Sequence, residues 1–182
     1  MAKKHERITP MLARFIEAQK VFFTASAAPA GRVNLSPKGI DGCLAILGPR
    51  RVAFLNLTGS GNETAAHLKL SDRITLMFCA FAGPPMILRL YGRGRAIHPR
   101  DAEWSAFAPL FKEHPGRRQI VVVEVNDIVT SCGYGVPLMD YVEQRPTLVD
   151  WAARKGEEGV RDYWREKNLV SLDGDPTGVF AD

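Results

Sequence analysis

The stretch NLTGSGNETAAHL, residues 56–68, joins a run of β-forming residues to a run of helix-forming residues. RVAFLNL at 51–57 predicts a strand, and the small residues after the loop predict a helix over about 62–70. A glycine-rich loop between a strand and a helix presents free backbone N–H groups at the positive end of the helix dipole. The stretch therefore predicts either a site for phosphate or another small anion, or an ordinary turn capped by Thr58 or Asn62.

The loop does not match the common nucleotide-binding motifs. It lacks the Lys-Ser/Thr pair of a P-loop, and its spacing is not GxGxxG. Glu63 in the first helical turn suits the helix dipole, but its carboxylate would repel a neighbouring phosphate. Cations from elsewhere in the chain would have to balance it, and the candidates are Arg32, Lys38, Arg51, Arg89 and Arg93. For each of them the alternative is a solvated surface charge.

The other strand patterns predict a mainly β fold. Apolar or alternating runs predict strands at 21–27, 32–36, 43–47, 52–57, 73–81, 86–98 and 118–131. The run at 73–81 is nearly all apolar, which predicts burial on both faces. Gly92 and Gly94 predict a bulge or a sharp bend within 86–98. The hairpins at 21–36 and 73–98 argue against a doubly wound parallel sheet.

Helices are predicted around this sheet. Residues 9–20 predict a helix with Thr9 as N-cap and Pro10 at its first position. A second helix is predicted over 98–115, and two short ones between residues 147 and 168. We therefore expect one domain, a small closed or split β-barrel of about six antiparallel strands with helices at its rim.

Composition narrows the classes of protein. Of the 182 residues 46% are hydrophobic, and the net charge of +4 comes without a long basic run, so nucleic acid is not an expected partner. Three cysteines without a CxxC pair indicate a reducing compartment. No signal-peptide core and no apolar run of membrane length is found. We expect a soluble cytoplasmic protein without a membrane partner.

A few other side chains carry possible chemistry. His67 has no partner at metal-ligand spacing, so no metal site is predicted, and a buried, hydrogen-bonded role is expected for it. Cys132 could be a nucleophile only with a base nearby, and the sequence identifies none. Cys79 is expected to be a small core residue. Tyr134 could stack on a flat ring or anchor its glycine-rich loop.

The order of the motifs resembles that of a known family. A hairpin, SPKG, a strand into TGSGNETAAHL, then MFCAF, RLYGRGR and SCGYGVP resemble the pyridoxamine 5'-phosphate oxidase-related proteins with their FMN-binding split β-barrel. More narrowly the chain resembles a bacterial and fungal branch, from about Phe15 to Asp175. The resemblance implies a homodimer with two FMN sites at the subunit interface, each built from both chains. It also implies one split-barrel domain over 1–182, with 147–182 as a helical C-terminal extension.

Matching the family motif residue by residue gives candidate cofactor contacts. Thr58 matches a Thr of the motif and Asn62 its Ser, whereas its two phosphate-gripping basic positions fall on Glu63 and Thr64. The family's basic strand falls on or near 32–38, and its closing segment near 131–145. The implied cofactor-binding residues are Arg32, Lys38, Thr58, Ser60, Asn62, Thr64, Arg89, Cys132, Gly133 and Tyr134.

The resemblance implies a function in outline. It indicates an FMN-dependent oxidoreductase of unknown small-molecule substrate, with no assigned catalytic residue. The Arg-Leu-His substrate signature of the oxidase is absent, so pyridoxamine phosphate is not the expected substrate. The alternatives are a non-catalytic carrier of flavin, deazaflavin or haem, and a structural dimer without cofactor.

Overall fold

The computed structural model describes residues 2–180 and is built on one antiparallel sheet. Its eight strands are β1 Lys3–His5, β2 Phe22–Ala27, β3 Val33–Lys38, β4 Leu44–Gly48, β5 Arg51–Leu57, β6 Arg73–Cys79, β7 Ile87–Ile97 and β8 Arg117–Ser131. The helices are α1 Pro10–Ala18, α2 Glu63–Leu70, α3 Trp104–Phe107 and α4 Thr147–Lys167, and a 3₁₀ turn over Ala108–Leu110 follows α3. None of the helices in this described part of the chain is long and apolar enough to cross a membrane.

The strands curl into a barrel that stays open on one side. Their order is β3-β2-β6-β7-β8-β5-β4, with β1 added to β8, so consecutive strands β3 and β4 are the two unpaired ends. A side-chain hydrogen bond spans this opening, in which Lys38 Nζ on β3 donates to Asn56 Oδ1 on β5 at 2.9 Å. The sheet is therefore a split barrel whose seam carries a polar contact.

Apolar side chains fill most of the barrel interior. Phe22 stacks on Phe78, and α1 inserts Leu12 and Ile16 into the same cluster. Thr9 caps α1 as predicted, because its Oγ1 accepts the N–H of Leu12 at 3.3 Å. A second cluster covers the outer face of β5 and β8 with residues from α3, the 3₁₀ turn and the start of α4.

Most of the predicted strands are confirmed, with small shifts of their ends. The structure has more strands than the predicted six or so, partly because the short β1 has a polar sequence and is held only by pairing with β8. β3 continues to Lys38, beyond the predicted end at residue 36. The bulge in β7 is confirmed at Tyr91/Gly92, where a Cβ on Gly92 would overlap the Glu124 carbonyl oxygen.

Two expectations are wrong. β6 is not buried on both faces, because Thr75 and Met77 are only half-buried and alternate with buried Leu76 and Phe78. The helix expected over 98–115 shrinks to one α-turn and one 3₁₀ turn, because a proline at residue 109 has no N–H to continue the ladder.

The C-terminal region agrees with the expectation of two short helical segments. They merge into α4 across a kink at Gly156, whose φ of 68° is outside the helical region. Residues 1, 181 and 182, which the predicted domain and extension include, lie outside the described residues.

Candidate functional site

The loop 58–62 joins β5 to α2, and its first residue is fully engaged. The Thr58 hydroxyl donates to the Gly116 carbonyl oxygen at 2.8 Å and accepts the indole N–H of Trp164, also at 2.8 Å. The Thr58 N–H donates to the same carbonyl at 2.9 Å. Thr58 therefore fixes the loop to the residue before β8 and to α4, and it is 1% exposed.

The C-terminal side of the loop is held by an amide and a guanidinium. Asn168 Nδ2 donates to the carbonyl oxygens of Gly59 and Ser60, at 3.2 and 3.4 Å. Arg118 Nη1 donates to Asn168 Oδ1 at 2.6 Å and to the Gly59 oxygen at 3.4 Å. Since both loop carbonyls are bonded here, the conformation of the glycine-rich loop depends on residues far along the chain.

A polar region occupies part of the barrel interior beneath α2. Asn34 Nδ2 on β3 donates to Ser26 Oγ on β2 and to Thr64 Oγ1 on α2, both at 3.1 Å. The Ser26 hydroxyl lies 3.1 Å from His67 Nδ1. His67 is 1% exposed and hydrogen-bonded, as expected from the sequence. Thr64 is therefore turned inward and supports α2.

Two cations near the loop and the seam of the barrel have no carboxylate partner. Burial, and then the charge of Arg118, lower the pKa of Lys38 to about 8. Burial also lowers the pKa of Arg118 to about 10, so its guanidinium stays charged at neutral pH. Among the residues that the structure describes, no carboxylate contacts either group. Buried cations without a counter-ion are costly, which makes this region attractive to an anion.

Several buried polar atoms around the loop and beneath α2 also lack a partner. Gln119 Nε2 donates to Asn62 Oδ1 at 2.7 Å, which leaves Gln119 Oε1 and Asn62 Nδ2 unpaired. Arg118 Nε and His67 Nε2 are unpaired as well. Asn62 occupies the N-cap position of α2 but makes no capping bond with its side chain. Unpaired buried polar atoms are rare in native proteins, so these atoms favour the binding of a polar group at this place.

The opposite side of the loop is occupied by the chain's own carboxylates. Both oxygens of Glu63 accept the N–H of Leu172 at 3.1 Å. Asp173 accepts the backbone N–H of Arg32 at 2.7 Å and pairs with the Arg32 guanidinium. Of the predicted basic contacts, Arg32 is therefore already paired with a carboxylate of the same chain. Lys38 instead faces the polar interior.

The remaining predicted contacts lie elsewhere in the chain. Arg89 is on the outer face of β7 and donates to Ser131 Oγ at 3.2 Å. Lys38 pairs in register with Phe22 on the inner face, and strands β2 and β6 separate β3 from β7. Cys132 is exposed, Gly133 packs on the Met86 backbone, and Tyr134 is 83% exposed. A single chain therefore does not bring this second group to the loop, whose exposed polar residue is Ser60.

Sequence reasoning missed the residues that complete the loop. They are Asn56, Arg118, Gln119, Trp164 and Asn168. A signal existed for three of them, because Asn56 interrupts an apolar strand and Arg118-Gln119 precede the run IVVV. Trp164 and Asn168 gave none, since only the tertiary fold brings the end of α4 to the loop. No group of three or more residues able to hold a metal ion is found within the described residues.

Comparison with solved structures defines the fold. HupZ of Group A Streptococcus superposes with a TM-score of 0.52 at 16% identity over 66% of this chain and 91% of that one. A conserved protein of unknown function from Corynebacterium diphtheriae, DIP1874, gives 0.50 at 12% identity over 72% and 98%. The protein is thus a split-barrel protein of the pyridoxamine 5'-phosphate oxidase type in its fold.

Sequence comparison then gives the family. The model of the pyridoxamine 5'-phosphate oxidase family matches residues 8–132. The pyridoxamine 5'-phosphate oxidase family protein ustO of Aspergillus flavus is 34% identical over 191 aligned positions, which cover 94% of this chain and 76% of that protein. The chain belongs to the pyridoxamine 5'-phosphate oxidase family. Trp164 and Asn168, which hold the loop from the end of α4, lie beyond the part that the family model matches, whereas Arg118 lies within it.

The observed residues fit a phosphate-bearing cofactor on one side of the loop only. On the side of Lys38 and Arg118, charge and unpaired donors such as Asn62 Nδ2 are present without a carboxylate. On the side of Arg32, the carboxylate of Asp173 already takes the donors that a phosphate would use. The two sides therefore differ in what they can accept.

Proposed function

We propose that this protein is a flavin-binding oxidoreductase of the FMN type, acting on a small molecule other than pyridoxamine phosphate. The observation that carries the proposal is a pair of cations, the half-buried Lys38 and the buried Arg118, near the glycine-rich loop and without a carboxylate partner among the described residues. Lys38, Arg118 and the hydroxyl of Ser60 would hold the cofactor's anionic group. When bound, the flavin supplies hydride transfer, and the protein positions its ring.

The proposal includes a homodimer in a cytoplasmic setting. Within one chain, Arg89 and the segment 131–136 are separated from the loop, so a site that contains both sets needs a second copy. Apolar side chains at the edge strand support this, because Val33 and Leu35 on β3 are 74% and 64% exposed. Exposed apolar surface of this kind is typical of an interface between subunits. The partner's segment 131–136 would then cover the flavin ring.

Purified protein tests the proposal directly. We expect absorbance near about 450 nm from bound flavin, since the chromophore belongs to the cofactor, and tighter binding of FMN than of riboflavin, which lacks the phosphate. Lys38→Met should remove that preference, whereas Lys69→Met on α2 should keep it. A colourless protein that takes up neither flavin in a titration would reject the proposal. Reduction of the bound flavin by a nicotinamide donor, followed by reoxidation with a second substrate, would separate an enzyme from a carrier.

A second candidate is a structural dimer without cofactor. It is favoured by the contacts of Asp173 with Arg32 and of Glu63 with Leu172, which use charged groups of the site within the chain. Under this alternative, neither flavin binds. The flavin titration with the Lys38 variant decides between the two.

A further inference from the structure

Residues 168–177, which follow α4, form a compact turn that we name the C-terminal strap. Val170 and Pro176 form an antiparallel bridge, and the Ser171 N–H donates to the Asp175 oxygen at 2.8 Å. The Ser171 hydroxyl accepts the N–H groups of Asp173 and Asp175, at 3.2 and 3.0 Å. The strap is therefore a preformed element whose tip is residues 172–173.

The base of the strap is anchored in the protein. Asn168 is fully buried and bonds to the loop and to Arg118. The buried Thr177 hydroxyl donates to the Asn168 carbonyl oxygen at 2.5 Å. Because both ends are held, the tip lies in a fixed position between the start of α2 and the turn that joins β2 to β3.

The tip presents a carboxylate to a set of donors suited to any oxyanion. Asp173 Oδ2 accepts the Arg32 N–H, and Oδ1 contacts the Arg32 guanidinium. The backbone N–H of Arg32, and then its side chain, hold the pKa of Asp173 below its usual value. Gly31, with φ of 89°, makes room, because a Cβ there would lie 2.5 Å from Asp173 Oδ2. The Asp173 side chain is 16% exposed, whereas that of Arg32 is 67% exposed.

We propose that the C-terminal strap is an internal competitor for the anion site at Arg32, with the Asp173 carboxylate held where an external anion would bind. This inference rests on the proposed function only in assigning that external anion to the cofactor's phosphate. An anionic ligand then has two positions beside the loop. It binds at Lys38 and Arg118 with the strap closed, and reaches Arg32 only when Asp173 leaves.

The competition predicts how substitutions at Arg32 and Asp173 change the affinity for an anion. With the strap closed, Arg32 contributes little to the binding of an anion, so Arg32→Ala should change FMN affinity less than about twofold. Removing the Asp173 charge weakens its hold on the Arg32 guanidinium and backbone N–H together. We therefore expect a gain in anion affinity of roughly threefold to tenfold, as for one additional charge-assisted hydrogen bond.

The experiment compares Asp173→Asn and Asp173→Ser with a matched control on the same strap. Asp175→Asn serves as the control, because among the described residues the Arg32 side chain bonds to Asp173 and not to Asp175. Affinities for FMN, riboflavin and inorganic phosphate are measured by calorimetry on the full chain. Both Asp173 variants should bind FMN and phosphate threefold to tenfold more tightly, with riboflavin unchanged and the control like wild type.

The possible failures are distinguishable. Unchanged or weaker phosphate and FMN binding in both Asp173 variants, with folding confirmed by circular dichroism, overturns the strap proposal. If wild type binds neither flavin, the proposed function fails, but the phosphate titration still decides the strap proposal. Hydrogen exchange at the Leu172 N–H, without any ligand, tests closure independently: it should be protected in wild type and faster in both Asp173 variants. Equal protection in all variants would contradict the proposal.

Discussion

Lys38 connects the chemistry of the site to pH. Because its pKa in the folded protein is about 8, the ammonium is present below this pH and lost above it. We expect the affinity for FMN, but not for riboflavin, to fall as pH rises above about 8. Lys38→Arg keeps the charge and should remove the break, since an arginine does not lose its proton in this range. Flavin fluorescence titrations between pH 6 and 9.5 measure the FMN affinity. If the affinity of the arginine variant also falls above about pH 8, the fall is not due to Lys38.

The same lysine also makes stability depend on pH. Between about 8 and 10.5 the unfolded chain binds a proton at Lys38 that the folded chain lacks, so the free energy of unfolding rises with pH there. Lys38→Met should flatten this rise by up to about 1.4 kcal/mol per pH unit in urea titrations. Lys112→Met is the control, because the Asp41 carboxylate raises the pKa of that exposed lysine. An equal slope in wild type and Lys38→Met would contradict the prediction.

At the scale of elements, the end of α4 decides the conformation of the glycine-rich loop. Asn168→Ala would leave the carbonyl oxygens of Gly59 and Ser60 and the Arg118 guanidinium without their partner. We expect a loss of about 1–3 kcal/mol in the free energy of unfolding, together with weaker FMN binding. Glu166→Ala, two residues earlier and exposed, should have little effect. Equal denaturation midpoints for the two variants would show that the loop does not need α4.

The element scale also shows where sequence reasoning stops. Local rules predicted α1, its Thr9 cap and the β7 bulge, because capping and glycine packing depend on neighbouring residues. The loop was found for the same reason. What Thr58 contacts could not be predicted, since Gly116 and Trp164 lie 58 and 106 residues away. The prediction of a helix over 98–115 was wrong for a local reason, because a proline inside the apolar pattern ends the helix.

For the whole molecule, the proposed homodimer is the part that requires a second chain. Leu35→Lys places a charge on the 64%-exposed apolar edge of β3 and should convert dimers to monomers. It should also weaken FMN binding, because the site would lose the partner's segment 131–136. Leu110→Lys, at a residue 48% exposed in the 3₁₀ turn, is the matched control. Analytical ultracentrifugation measures the change, and a dimer that survives Leu35→Lys would place the interface elsewhere.

The fold and the site were predictable to different degrees. The antiparallel topology could be predicted because hairpins and the alternation of apolar and polar residues are visible in short segments such as 21–36. The family resemblance implied a candidate location for the site, but the pairing of Arg32 with Asp173 spans 141 residues and could not be predicted from the sequence. Glu63, read as a misfit beside a phosphate, instead binds the strap.

The contacts of Trp164 and Asn168 with the loop also impose an order in time. The loop at 58–62 emerges from the ribosome long before the residues that fix it, so a nascent chain can pair most of its sheet while the loop is still unheld. We expect the proposed cofactor to be loaded only after synthesis passes Asn168. The end of α4 thus acts as a completion signal: an abortive product that stops after β8 would have the barrel, but its loop would be unheld and the proposed flavin would not be retained.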